Sequence, residues 1–148
     1  MKRFKLLPPV YFFIYLLLAF GLDLIFPGAR FPISLRPLGV LLMGAGILLN
    51  GWAVGLFRTK KTTIKPFEVS SDLVMEGPFR FSRNPMYLGM ILILSGAVFF
   101  FNNFTSIMAP FAMFITLNFE FIPYEEQMLE EKFGKTYVDY KSRVRRWL

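Results

Sequence analysis

Residues 80–101, RFSRNPMYLGMILILSGAVFFF, decide how the rest of the chain is read. Arg80, Arg83, Asn84 and Pro85 stand directly against an uncharged apolar run, residues 86–101. Asn84 is a favoured helix N-cap, and Pro85 falls at the first helical position, where its missing N–H costs nothing. The pattern predicts a helix that starts at a polar threshold and runs into hydrocarbon. Free N–H groups near Met86 and Tyr87 give that helix end partial positive charge, and Arg80 and Arg83 add to it. An anion site is the sharper expectation, and a cap whose arginines snorkel to lipid phosphates is the plainer one.

Working outward, residues 104–122 form another apolar run, separated from the first only by Asn102-Asn103. The two runs read as a tight helical hairpin, with Pro110 the expected kink. Towards the N-terminus lie two longer runs, residues 8–26 and 38–57, each near the roughly 20 residues that cross a bilayer. The expectation is an all-α integral membrane protein with about four transmembrane helices. With 55% hydrophobic residues and 19 phenylalanines, a soluble domain of this size would struggle to hide its apolar surface. The 148 residues are one domain's worth, so residues 1–148 are read as a single unit.

The 17 basic residues sort by loop. Three precede the first run, six lie in the loop 58–85 and six follow residue 122, whereas only Arg30 and Arg36 lie between the first two runs. Fifteen against two is a strong positive-inside signal, which predicts that both termini and the loop 58–85 are cytoplasmic. That placement means the inner membrane of a prokaryotic cell or the endoplasmic reticulum of a eukaryotic one. No small-residue cleavage site follows the first run, so an uncleaved helix is expected there. The net charge of +7 is then topology and headgroup attraction rather than a nucleic-acid footprint.

Cysteine and histidine are both absent, which excludes disulfides, thiolate nucleophiles, Cys/His zinc sites and Ser-His triads. No metal site is expected. Five glycines punctuate the run 38–57. Gly51-Trp-Ala-Val-Gly55 is a small-xxx-small pattern suited to close helix packing, and Gly44-Ala-Gly46 is read as a place where a ligand can approach backbone. Leu129, Phe133, Tyr137, Tyr140, Val144 and Leu148 recur at helical steps, so the tail 124–146 is expected to be an amphipathic interfacial helix. A second polar cluster, Asn118, Glu120, Glu125 and Glu126, emerges beside that tail. By the predicted topology it shares a side with Arg80 and Arg83. One cluster attracts an anion and the other a cation, so a zwitterionic ligand between them is the expectation.

These residues also carry a resemblance. Gly77-Pro78-Phe79-Arg80-Phe-Ser-Arg83-Asn84-Pro85-Met-Tyr87-Leu-Gly89 resembles the GPYRxxRHPxYxG signature of a membrane methyltransferase family. That family contains the isoprenylcysteine carboxyl methyltransferases and, more distantly, the phospholipid N-methyltransferases. Glu125-Glu126-Gln-Met-Leu129 with Phe133-Gly134-Lys-Thr-Tyr137-Val-Asp-Tyr140 resembles its EExxL…FGxxYxxY block, and Arg145-Arg146-Trp147 also fits. The resemblance implies methyl transfer from S-adenosylmethionine to a membrane lipid or a lipidated small molecule. Carried over, the cofactor-enclosing positions are Arg83, Asn84, Pro85, Tyr87, Glu125 and Glu126, joined by Asn118 from the second polar cluster. Gly44 and Gly46 resemble the GxG element of the phospholipid branch.

Asn84 stands where the family has histidine, and asparagine cannot act as an acid or base near neutral pH. This favours an acceptor that is already nucleophilic. A carboxylate qualifies, with Arg80 or Arg143 to orient it, whereas an amine would need Glu120 or a tyrosine as base. Residues 59–76 are a candidate lid. A small four-helix transporter, a nicotinamide-dependent reductase and a purely structural membrane protein are the rival readings.

Overall fold

The computed structural model describes residues 7–59 and 73–148, and most of the expected lid lies outside them. The chain forms α1 (Pro8–Ile25), α2 (Arg36–Thr59), a 3-10 turn (Gly77–Arg80) and α3 (Pro85–Phe101). A second 3-10 turn (Thr105–Ile107), α4 (Met108–Thr116), a π turn (Leu117–Phe121), α5 (Ile122–Phe133) and α6 (Lys135–Arg143) follow. Proline opens α1 and α3, at positions where no intrahelical N–H is needed. Among the described residues, three stretches are long and apolar enough to cross a membrane: Pro8–Ile25, Arg36–Thr59 and the continuous Thr105–Phe133. The 17 residues of α3 stand at the short end of that range. The fold is an all-α integral membrane protein, and its outward faces remain apolar, with Leu17, Leu24, Leu41 and Leu48 exposed.

Helix α3 is the centre of the bundle, with α2 packed on one side and α1 and α4 on the other. Glycine allows the α2–α3 approach. A Cβ on Gly39 would lie 2.6 Å from the Gly96 carbonyl oxygen, and one on Gly46 would lie 2.6 Å from that of Gly89. The expected pair, Gly51 and Gly55, instead meets open space. Gly39 and Gly46 are two turns apart on one face, and that face is turned to α3. On the far side of α3, Tyr87 and Leu94 join Ala19, Met113, Leu117, Phe121 and Ile122 in the buried core.

The hairpin between α3 and α4 matches the reading of Asn102-Asn103, and each asparagine has its own job. Asn102 takes the left-handed conformation (φ +58°) that ends α3. Asn103 is fully buried; its amide donates to the Phe26 carbonyl (2.9 Å) and Asp23 (3.2 Å), while its oxygen accepts from the Thr105 backbone (3.0 Å).

Pro110 falls in the first turn of α4, where a missing N–H is tolerated, and the 3-10 turn Thr105–Ile107 runs directly into it. The irregularity is the π turn, in which the Ile122 N–H reaches back five residues to the Leu117 carbonyl. Pro123 explains its position: its ring cannot accept a regular α-helical carbonyl four residues earlier, so the chain widens just ahead of it. The tail is helical but is two helices rather than one over 124–146. Gly134 separates them at φ +52°, and α6 stops at Arg143. Tyr137 and Tyr140 of the expected apolar face are buried against the protein.

Candidate functional site

The turn before α3, the start of α5 and the end of the chain meet at one end of the bundle. Arg83, with its side chain 8% exposed, donates to Glu126, 7% exposed, at 2.7 Å. Its other terminal nitrogen donates to the Lys141 carbonyl at 2.9 Å, and its Nε is buried without a partner among the described residues. Glu126 also accepts from Arg146 at 2.8 and 3.2 Å and lies 3.8 Å from the Lys141 ammonium. The cationic and acidic clusters thus close on each other directly instead of facing across a gap. Burial explains this, since a desolvated charge must pair or be neutralised.

Next to this pair, the Tyr87 hydroxyl donates to Glu125 Oε1 at 2.6 Å, joining α3 to α5. The other Glu125 oxygen takes no partner among the described residues. Asn84 is the residue before α3 and its carbonyl receives the Leu88 N–H, but its side chain makes no cap bond. Its amide instead donates to the Arg146 carbonyl at 3.0 Å, a long-range bond that outcompetes the local one. Pro85 is buried at the first position of α3, as expected.

Asn118 lies in the π turn and receives Trp147 Nε1 at 3.0 Å and Arg146 Nη1 at 3.4 Å. The widened turn carries the side chain of Asn118 towards the end of the chain. Residues 144–148 therefore form a strap across the site. The Arg83 N–H donates to the Arg145 carbonyl at 3.0 Å, and Trp147 stacks on Phe114 with ring centroids 5.0 Å apart. Helix α6 is held by the Tyr140 hydroxyl, which donates to the Phe79 carbonyl at 2.7 Å. Burial pushes the Tyr140 phenol up to about 12, against the pull of the Arg83 charge. Burial also raises Tyr137, and Glu126 raises it further.

Six sequence-predicted positions, Arg83, Asn84, Tyr87, Asn118, Glu125 and Glu126, converge here, with Pro85 starting the helix that carries Tyr87. The others do not join them. Gly46 has its bare side filled by Gly89 and Ile93 of α3, and Gly44 opens onto empty space. Arg80 and Glu120 are exposed away from the cluster, and Arg143 donates to the Asp139 carbonyl of its own helix. An exposed charge keeps its hydration, so nothing draws these three inward. The largest omission of the residue-level reading is the strap. Arg146 and Trp147 lie beyond the helical period, after the chain leaves α6 through the extended Val144. The signals for them were the fit of Arg145-Arg146-Trp147 to the family resemblance and a basic, aromatic segment of opposite charge to Glu125-Glu126.

The model of the phospholipid methyltransferase family matches residues 35–136. The chain is 38% identical over 78 residues to Protein-S-isoprenylcysteine O-methyltransferase B of Arabidopsis thaliana, covering 52% of this chain and 39% of that protein. It is also 38% identical over 63 residues to an uncharacterized protein of Haemophilus influenzae, covering 43% of this chain and the whole of that relative. The chain thus spans well under half of the Arabidopsis protein. The matched segment runs from the start of α2 to the first turn of α6 and includes every residue of the cluster except those on the strap and from Tyr137 onward in α6. On that match, the chain belongs to the phospholipid methyltransferase family.

Proposed function

We propose that this protein is a membrane methyltransferase that uses S-adenosylmethionine to methylate a lipophilic acceptor at the cytoplasmic face, with residues 1–148 working as one domain. The observation that carries this reading is the buried Arg83–Glu126 cluster, in which Arg83 Nε has no acceptor among the described residues. A buried guanidinium N–H without a partner is rare, and a ligand carboxylate would satisfy it. The second oxygen of Glu125 is an acceptor suited to an ammonium or a ribose hydroxyl. This donor and acceptor set fits S-adenosylmethionine, which supplies an electrophilic methyl group when bound. Arg83 and Glu125 would hold it and Tyr87 would orient Glu125. Arg146 fills the space between Glu126 and Asn118, so a cation that reaches Glu126 displaces it. Positioning and electrostatics can supply most of the catalysis of an in-line methyl transfer.

For the acceptor, a carboxylate of an isoprenylcysteine-like compound or another lipid acid comes first. The Arabidopsis relative is named for such chemistry, and this chain has no histidine to act as base. The description of the matching family favours a second reading, a phospholipid amine. That amine needs a base, and Glu125 is nearer the cluster than the exposed Glu120. The transporter reading loses support because Asp23 is tied to Arg30 and Asn103 at the opposite end.

Calorimetry of the detergent-purified protein with S-adenosylmethionine, its demethylated product and NADPH tests the proposal. Binding of the two sulfur compounds is expected, and binding of neither overturns it. In a variant of native helicity, Arg83→Ala should weaken the affinity by about 1.5–3 kcal/mol, the scale of a charged hydrogen bond. Transfer of labelled methyl to carboxylate or amine lipids of a membrane extract separates the two acceptors.

A further inference from the structure

At the end of the bundle away from Arg83, the chain holds a second polar site that methyl transfer does not use. Helices α1 and α2 both pack on α3 but make little contact with one another. Between their ends is a pocket of about 400 Å³ lined by Asp23, Arg30, Arg36, Phe100 and Phe101. Arg30 is held firmly on its wall. Its Nε donates to the Pro27 carbonyl at 2.9 Å, and its Nη1 donates to Asp23 at 2.6 Å and to the Phe101 carbonyl at 2.5 Å. Asp23 is claimed a second time by the Asn103 amide at 3.2 Å. Arg36, which also lines the pocket, makes no hydrogen bond or ion pair among the described residues. One acid therefore balances one of two cations, and the pocket keeps an uncompensated positive charge.

The surroundings are apolar. Phe100 is 46% exposed, and Phe20, Leu24 and Val40 present exposed side chains near the same ends of α1 and α2. A net cation over an aromatic floor, opening between two lipid-facing helices, matches an anion that carries hydrocarbon. We infer that this pocket binds the headgroup of an anionic phospholipid, with the phosphate between Arg30 and Arg36 and the chains along the outer faces of α1 and α2.

Native mass spectrometry tests this on the full chain from nanodiscs of equal phosphatidylglycerol and phosphatidylcholine. The wild-type protein should retain phosphatidylglycerol preferentially. Arg36→Gln should lower that preference by about fivefold, the effect of one basic residue near a lipid surface. Arg36 has no partner to lose among the described residues, so this variant should fold. Arg58→Gln, at the other end of α2, is the control for general charge and should leave the preference unchanged. No preference in the wild type, an unchanged preference in Arg36→Gln, or an equal fall in Arg58→Gln would each overturn the inference. So would displacement of the retained lipid by millimolar inorganic phosphate, which would mark a site for the free ion.

Discussion

Glu126→Gln keeps the shape of the hub side chain and removes its charge. Arg83 then remains buried at 8% exposure with neutral acceptors alone among the described residues, the glutamine oxygen and the Lys141 carbonyl. Breaking a buried pair from one side costs about 3–5 kcal/mol, because the partner charge stays desolvated. Arg83→Gln is different. It leaves Glu126 with Arg146 at 2.8 Å and Lys141 at 3.8 Å, whose side chains are 32% and 38% exposed. These contacts are weakened by solvent but still compensate the carboxylate. The loss is then nearer that of one charged hydrogen bond, about 1.5–3 kcal/mol. The prediction is an order: Glu126→Gln is the more damaging substitution, and the double variant falls short of the sum of the two by about 1–3 kcal/mol. Thermal unfolding in detergent, followed by circular dichroism, reads it. A chain of this length loses about 2–4 °C per kcal/mol. Arg83→Gln as damaging as Glu126→Gln, or strict additivity in the double variant, would refute Glu126 as the hub.

Three further outcomes are expected. Gly46→Leu should destabilise by about 1–3 kcal/mol, since its first side-chain carbon already meets the Gly89 carbonyl at 2.6 Å, whereas Gly51→Leu should change the same melting curve little. Trp147→Ala removes the bond to Asn118 and the stack on Phe114, together about 1–3 kcal/mol. Carboxypeptidase digestion of that variant should release the end of the chain sooner than in the wild type. For Tyr140 the folded value is raised above the ordinary one near 10, so its contribution is complete below pH 10. It is lost as pH rises from about 10 through about 12, when the phenolate can no longer donate to Phe79. Alkaline melting curves of the wild type should fall in that window, and those of Tyr140→Phe should lack the step.

The sequence made some features legible and hid others for physical reasons. The start of α3 was readable because Asn84 and Pro85 act within one turn, and the hairpin was readable because Asn102-Asn103 alone separates two apolar runs. Partners across 60 residues have no period to betray them. Asn84 could be placed before α3, yet its amide serves the Arg146 carbonyl. Five glycines marked α2 as a packing helix, yet only the three-dimensional approach of α3 selects Gly39 and Gly46 over Gly51 and Gly55. The charges carry the sharper lesson. Opposite clusters on one side suggest a bipartite site for a zwitterion, but the same attraction brings Arg83 and Glu126 together at 2.7 Å. Buried charges of opposite sign satisfy each other first, so binding capacity is not read from the number of charges. It is read from what pairing leaves over: Arg83 Nε, the second oxygen of Glu125 and the displaceable Arg146.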